Sequence, residues 1–525
     1  MNDSNNATDV RTAEIYTESP VALLPGERLH RVEYVTVPNP IEPPSALRSL
    51  LRLADVRTLQ NLGETGPVMG SLPDPSGSAH LNLFQALFGR DSLRVADILA
   101  VRHPRLAVAT VLRLAELQGT SYTIYREEEP GRIPHEVRQP DDPIARTLSE
   151  KSGWQWPYYG SVDSTPMWII AAARCLRENP RTAISQVKGL DGRNRSLASC
   201  FRLAVEWLYS RIVSSPSNLL ESRPAFAGSI ENQVWKDSWD AYAHADGTLA
   251  RSGTVASVEA QALAYDALHD AADVYSLLPP PSTADAAPPT QQLIECAEAV
   301  RQAVLGKLWV DTPRGGGLGF FAMGADRGDD GGFRPLAVRS SNMGHLLDSR
   351  MLQGGDELTV YQRDATVRSL FAPELLCAAG IRTLATCEVR FRAGAYHNGS
   401  SWPWDTHVIA RGLHRHGYRA LAWELRRRVL ALCNRHQMFP EFARGEAGPV
   451  AELNRRIVEV TDGERINRVE QPPQRVQAWT VAAVLDVKAL CSQGWANQEK
   501  RALGAERDPR VMRVEEDIMR QVMDT

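Results

Sequence analysis

The chain has 525 residues, 43% hydrophobic and 23% charged, with a net charge of −4; these values exclude a disordered, collagen-like or supercharged protein and describe an ordinary soluble globular one. Lys and Arg are scattered without a long basic run, so no nucleic-acid footprint is present and a neutral substrate suits the balance. The seven cysteines are odd in number and widely spaced, which reads as reduced core thiols.

Residues 1–45 are expected to form an N-terminal arm. The stretch to about Glu27 is polar and acidic, without the apolar run of a secretory signal. Pro38, Pro40, Pro43 and Pro44 lie further on, and only Val32, Tyr34, Val35 and Val37 hint at a strand. From Ala46 onward the periodicity is helical, at Leu106–Leu117, Pro166–Leu176, Leu197–Ile212, Val255–Leu277, Leu293–Leu308 and Val476–Leu490. Weaker helical segments fall at 47–54, 92–101, 341–353, 360–370, 403–415 and 418–433. Long connectors rich in Gly, Trp, Tyr and His, at 119–163, 223–252, 309–340 and 386–404, alternate with short ones. That pattern suggests helical hairpins in a ring with a pocket on one rim. The Pro-rich stretch 279–291 reads as a surface linker, and 446–473 as a lid or a disordered insertion. An all-α fold is expected, with 46–495 as one catalytic domain and 496–525 as a helical tail. No apolar run is long enough to span a bilayer, so the expected address is cytoplasmic.

Four motifs carry candidate chemistry. In Asn232–Asp240 (NQVWKDSWD), Asp237 sits between Trp235, Lys236 and Trp239. A carboxyl walled by indoles has a raised pKa, as a general acid needs, and sugar rings stack on Trp faces. Capping of the next helix is an equal alternative. In Phe439–Gly445, Glu441 follows a proline between two phenylalanines, a place for a base with room for a water; a surface Glu in a turn is the competing and, on the motif alone, stronger reading. In FGRDS, Phe88–Ser92, Arg90 and Asp91 form a donor and acceptor pair for adjacent hydroxyls, and Asp91 can cap the helix as well. In Ala395–His407, His397, Asn398 and Trp402 gather at a rim where Pro403 opens a helix, while Asp405 can pair locally and His407 reads equally as a core histidine.

Trp154–Pro166 adds Tyr159 and Asp163, and Arg339–Met351 adds Asn342 and His345. The competing reading packs Tyr158 and Tyr159 into the ring and His345 against a neighbouring helix. HExxH, CxxC, Walker and GxSxG motifs are absent, and Gly315–Gly319 lacks a βα context. No metal and no organic cofactor is therefore expected, and the partner is a carbohydrate.

In chain order, FGRDS at 88, YYGSVDSTP at 158, NQVWKDSWD at 232, SVEAQALAYDA at 257, SSNMGHLL at 340, GIRTL at 380, YHNGSSWPWD at 396, PEF at 440 and QAWT at 477 make the chain resemble the amylo-α-1,6-glucosidase, or glycogen-debranching glucosidase, family, together with its relatives glucosylglycerate hydrolase and processing α-glucosidase I. The resemblance implies an (α/α)6 toroid and an inverting α-glucosidase that releases β-glucose, with Asp237 as general acid and Glu441 as general base. It implies that Arg90 and Asp91 hold the nonreducing glucose, that Trp235, Lys236 and Asp163 line the pocket, and that Trp402, Gln477 and Trp479 close it. Tyr159, His397 and Asn398 complete the expected substrate contacts.

Val234, Trp239 and Phe442–Gly445 depart from the debranching pattern, and residues 1–45 are too short for the β-sandwich that debranching members often carry. A small α-glucoside therefore fits as well as a branched dextrin. The runner-up substrate is a small charged glucoside such as glucosylglycerate, which an anion-binding group among Arg251, Arg392 and Arg444 would mark. A non-catalytic carbohydrate-binding toroid would lack one carboxylate. A helical-repeat scaffold would not carry such aromatic loops.

Overall fold

The computed structural model describes residues 21–34, 67, 69–71, 84–251, 253–281, 287–311, 318–463, 465–492 and 508–523. The helix expected at 47–54 lies outside the described residues. Those described form α1 (Gly89–Leu99), α2 (Pro104–Glu116), α3 (Pro143–Ser152), α4 (Ser164–Glu178), α5 (Leu197–Val213), α6 (Val258–Val274) and α7 (Thr290–Lys307). They continue through α8 (His345–Asp348), α9 (Glu357–Leu370), α10 (Pro403–Arg415), α11 (Arg419–His436), α12 (Ala478–Ser492) and α13 (Pro509–Met523). None of the described helices is long and apolar enough to cross a membrane.

Local chemistry sets the ends of these helices. Pro104, Pro143 and Pro403 occupy first-turn positions, where a missing N–H costs nothing. The Asp142 side chain accepts from the Ile144 and Ala145 N–H groups, and Asp356 caps α9 through the Thr359 N–H.

Packing then closes a circuit. α1 packs on α4, α4 on α6, α6 on α8, α8 on α10, α10 on α12, and α12 returns to α1. Most residues of α1, α4 and α10 are buried, whereas α2, α7 and α11 bury a stripe of fewer than half. Helices buried all round belong inside and striped ones outside. α2, α5, α7 and α11 accordingly back the inner helices.

Three segments differ from the sequence reading. The helix expected over 341–353 is broken into a 3-10 turn, the four-residue α8 and a second 3-10 turn. Ser349 is extended there, and its hydroxyl accepts from the Met351 N–H; serine competes with the helix for backbone partners. The connector 119–163 contains α3. Within 446–473 lies a β-hairpin that pairs with the N-terminal arm.

In that small antiparallel sheet, β1 (Glu27–Tyr34) pairs with Arg456–Asp462, which in turn pairs with Arg465–Glu470. Buried polar bonds fasten the sheet to the loops beneath it. Arg444 and Arg456 both bond Glu470, Asn454 donates to the Gly394 carbonyl, and Arg392 bonds Glu27. The side chains of Arg392 and Glu27 are 5% and 4% exposed. Removing one partner of such a pair strands a buried charge. Glu27→Ala is therefore expected to lose about 3 kcal/mol of stability, read by denaturant unfolding, with Arg392→Met in the same chain restoring part of the loss.

Candidate active site

One end of the helical circuit gathers acids. Asp91, Glu259 and Asp405 sit in the first turns of α1, α6 and α10, and Asp163 precedes α4 at its N-cap. Helix N-termini carry partial positive charge, so carboxylates are favoured there. At α1 the approach depends on Gly89, where a Cβ would meet the Pro134 carbonyl oxygen at 2.1 Å. With no side chain in the way, the Gly89 N–H bonds the His135 carbonyl, and Leu87–Phe88 pairs with Glu136–Val137.

Arg90 joins the acids. Its Nε donates to Asp163 Oδ2 at 2.7 Å, and Nη1 lies 3.6 Å from Asp237 Oδ2. The side chains of Arg90 and Asp163 are buried, while that of Asp237 is 31% exposed, so Asp237 is the member with access. Burial pushes its carboxyl up to about 6, with Arg90 pulling it down and Asp163 adding to the rise. The turn around Asp237 is fixed on both flanks. Asn232 Nδ2 donates to the Ser238 carbonyl at 2.7 Å, and Ser238 Oγ bonds His397 Nδ1 at 2.7 Å.

Glu441 is reached from another side. Tyr396 donates its hydroxyl to Oε1 at 2.5 Å, and the Gln474 N–H donates to Oε2 at 3.1 Å. The backbone there is strand-like: Ser401 and Ala443 exchange bonds of 2.9 Å, and the Glu441 N–H bonds the Gln474 carbonyl. Gly445 makes this possible, since a Cβ on it would meet the Gly399 carbonyl oxygen at 1.8 Å. Burial pushes Glu441 up to about 8 against the pull of those two hydrogen bonds, with the charges of Asp91 and Asp237 adding to the rise. Asp91, which accepts from Gln477 Nε2 at 3.2 Å, is pushed by burial up to about 7. The charges of Glu441, Asp237 and Asp91 all bear on the Tyr396 hydroxyl.

Indoles wall this cluster. Trp235 meets Trp402 and Trp404 edge-on at 5.7 and 5.0 Å, Trp404 stacks on Trp479 at 4.8 Å, and His397 stacks on Trp402 at 5.3 Å.

The structure thus brings together Arg90, Asp91, Asp163, Trp235, Asp237, His397, Trp402, Glu441, Gln477 and Trp479. Three residues expected as substrate contacts spend their polar atoms elsewhere. The Tyr159 hydroxyl donates to the Leu117 carbonyl at 2.7 Å. Lys236 is fully buried and donates to Asn342 Oδ1 at 2.5 Å and the Thr383 carbonyl at 2.6 Å; burial lowers its pKa to about 8. Asn398 Nδ2 donates to the Asp240 carbonyl at 2.9 Å, tying two loops together. Tyr396 and Gln474 were missed, although Tyr396 is the first residue of the YHNGSSWPWD motif. His345 bonds Asp405 at 2.6 Å beneath Trp235, in keeping with the packing reading of that histidine.

A mannosylglycerate hydrolase MGH1-like glycoside hydrolase domain model matches residues 119–449, a span that includes both Asp237 and Glu441. The protein is a glycoside hydrolase. It belongs to the MGH1-like glycoside hydrolase family. Among solved structures, a GH63 mannosylglycerate hydrolase from Thermus thermophilus in complex with Tris and D-glycerate is similar at 15% identity, covering 83% of this chain and 100% of its own, with a TM-score of 0.45. A glycosidase variant in complex with glucose is similar at 13% identity, covering 84% of this chain and 96% of its own, with a TM-score of 0.47. No curated protein matches the sequence.

The Tyr396 hydrogen bond favours the charged form of Glu441. A bond to a charged group contributes roughly 1.5–3 kcal/mol, or about one to two pKa units. Tyr396→Phe is thus expected to raise the Glu441 pKa by about that much, and the limb of kcat/KM against pH that lies near 8 should move upward if Glu441 must be ionised.

Proposed function

We propose that this chain is an inverting glycoside hydrolase built as an (α/α)6 toroid, releasing a sugar from a small α-glycoside, with Asp237 as general acid and Glu441 as general base. The observation that carries it is the pairing of an accessible carboxyl beside Arg90 with a second carboxylate oriented through both oxygens, the charges of both bearing on Tyr396. Protonated Asp237 gives its proton to the glycosidic oxygen as that bond breaks. Glu441 takes a proton from water, whose oxygen bonds the anomeric carbon from the opposite face, giving a β-configured product. Arg90, Asp91 and Gln477 offer donors and acceptors to sugar hydroxyls, and Trp402 and Trp479 offer ring faces. No cofactor enters this scheme, and a cytoplasmic address belongs to the same reading.

Burial raises Glu441 further than Asp237, the reverse of the order expected for a separate base and acid. The two carboxylates and Asp91 interact and titrate as a group, so the assignment of roles rests on position and on the family resemblance.

For the aglycone, membership of the MGH1-like family supports a charged leaving group of the glyceric acid kind. A neutral α-glucoside is the second reading, favoured by the state of the candidate arginines. Arg392 is bonded to Glu27, Arg444 bonds Glu446 and Glu470, and Arg251 lies 3.1 Å from Asp329.

A panel of glucosylglycerate, mannosylglycerate, isomaltose, panose, maltose and a limit dextrin, followed by proton NMR, tests the proposal. Wild type should release a β-sugar, and Asp237→Asn and Glu441→Gln should each lose at least about 10³-fold in kcat. Retained α-configuration, or full activity in either variant, would overturn the assignment. The profile of kcat/KM should be bell-shaped with limbs near 6 and 8. With the base the higher of the two, the active form is the one with Glu441 ionised while Asp237 keeps its proton; its population falls below the lower limb as more Glu441 is protonated and above the upper one as more Asp237 ionises.

A further inference from the structure

Past their acidic first turns the inner helices line a cavity of about 250 Å³, just under the roughly 300–1,000 Å³ of pockets for drug-sized ligands. Its size suits an ion or a molecule of a few carbons. Arg94 and Asp97 of α1, Arg174 of α4, Asp348 of α8, and Arg411 and Arg415 of α10 share its lining. Among these, four guanidiniums meet two carboxylates. Asp97 takes Arg411 at 2.6 Å, Arg174 at 2.9 Å and Arg94 only at 3.7 Å, while Asp348 takes Arg411 at 3.3 Å and Arg415 at 3.4 Å. The other charged pairs of the lining, Arg177 and Arg350 against Asp266 and Asp270, balance in number. Two positive charges are left in excess among the Arg and Asp residues.

Arg94 is the least satisfied of the four. Its side chain is 7% exposed, its Nε has no hydrogen-bond acceptor among the described residues, and its guanidinium lies 5.5 Å from the centre of the Trp404 ring. Neutralisation of helix dipoles accounts for Arg177 and Arg415, which stand in last turns. It does not account for Arg94, in the middle of α1. A buried guanidinium facing a polar cavity with donors to spare is a receptor for oxygen acceptors.

We propose that this cavity binds a small oxyanion of the phosphate class, either free or as the phosphate group of a small metabolite. Arg94 stands at the end nearest Trp404, with Arg174, Arg411 and Arg415 around the anion. The anion's oxygens accept from the guanidiniums and offset the excess charge. Neither Asp237 nor Glu441 takes part, so the inference stands apart from the hydrolytic reading.

Isothermal titration calorimetry of the full chain with inorganic phosphate, at an ionic strength held constant with chloride, tests it, with glycerol 3-phosphate as a second arm. One saturable site is expected. Equal affinity for the two probes would mark a free anion, and tighter binding of the ester a phosphorylated metabolite. Arg415→Gln, at a position 38% exposed, should weaken phosphate about fivefold while glycoside hydrolysis stays unchanged. Arg94→Met should weaken it more than about tenfold. Absence of saturable heat with both probes would overturn the proposal, as would unchanged affinity in the variants; if Arg94→Met fails to fold, Arg415→Gln alone decides.

Discussion

A single buried guanidinium, Arg90, holds the acidic end of this molecule together. Carboxylates crowd there because several inner helices begin at the same end of a closed circuit, and each start favours an acid. Left unpaired, such buried charges would cost several kcal/mol each or be extinguished by protonation. Arg90 touches Asp163 and reaches Asp237, and their charges raise its own pKa despite burial. The result is a graded set: Asp163 buried against the cation, Asp237 partly open beside it, and Asp91 and Glu441 raised into the neutral range.

Around this cluster the protein separates support from access. Lys236 spends its ammonium on Asn342 and a carbonyl, and Asn342 in turn donates to Glu259. That buried chain fixes the loop carrying Asp237 to the starts of neighbouring elements. On the other side, the three-stranded sheet made by the N-terminal arm and the 456–470 hairpin clamps the loops that lead to Tyr396 and Glu441. Two glycines, Gly89 and Gly445, allow the close backbone approaches on which both halves depend.

Much of this was legible in the sequence. Helical periodicity located the long helices to within a few residues, because packed helices bury regular stripes. Dense motifs pointed at Arg90, Asp91, Asp237, Glu441, Trp402 and Gln477, which meet in space. What the sequence hid was direction. Nothing in YYGSVDSTP shows that the Tyr159 hydroxyl turns to a backbone carbonyl, or in WKDS that Lys236 faces inward, since neighbouring residues on a loop share no face. The hairpin at 456–470 was hidden too, because its charged residues are partnered across strands and read alone as a solvated stretch. The break at Ser349 shows local hydrogen bonding overriding a helical apolar pattern.

The central claim is that Asp237 donates the proton to the departing oxygen while Glu441 activates water. Glycosyl fluorides separate these roles, since fluoride leaves without protonation whereas water still needs a base. The most direct measurement is hydrolysis of the α-fluoride of whichever sugar the wild type releases. The account expects Asp237→Ala to keep most of its activity on the fluoride while losing it on the glycoside, and Glu441→Ala to lose both. An Asp237→Ala variant equally dead on both substrates, or a Glu441→Ala variant active on the fluoride, would contradict it.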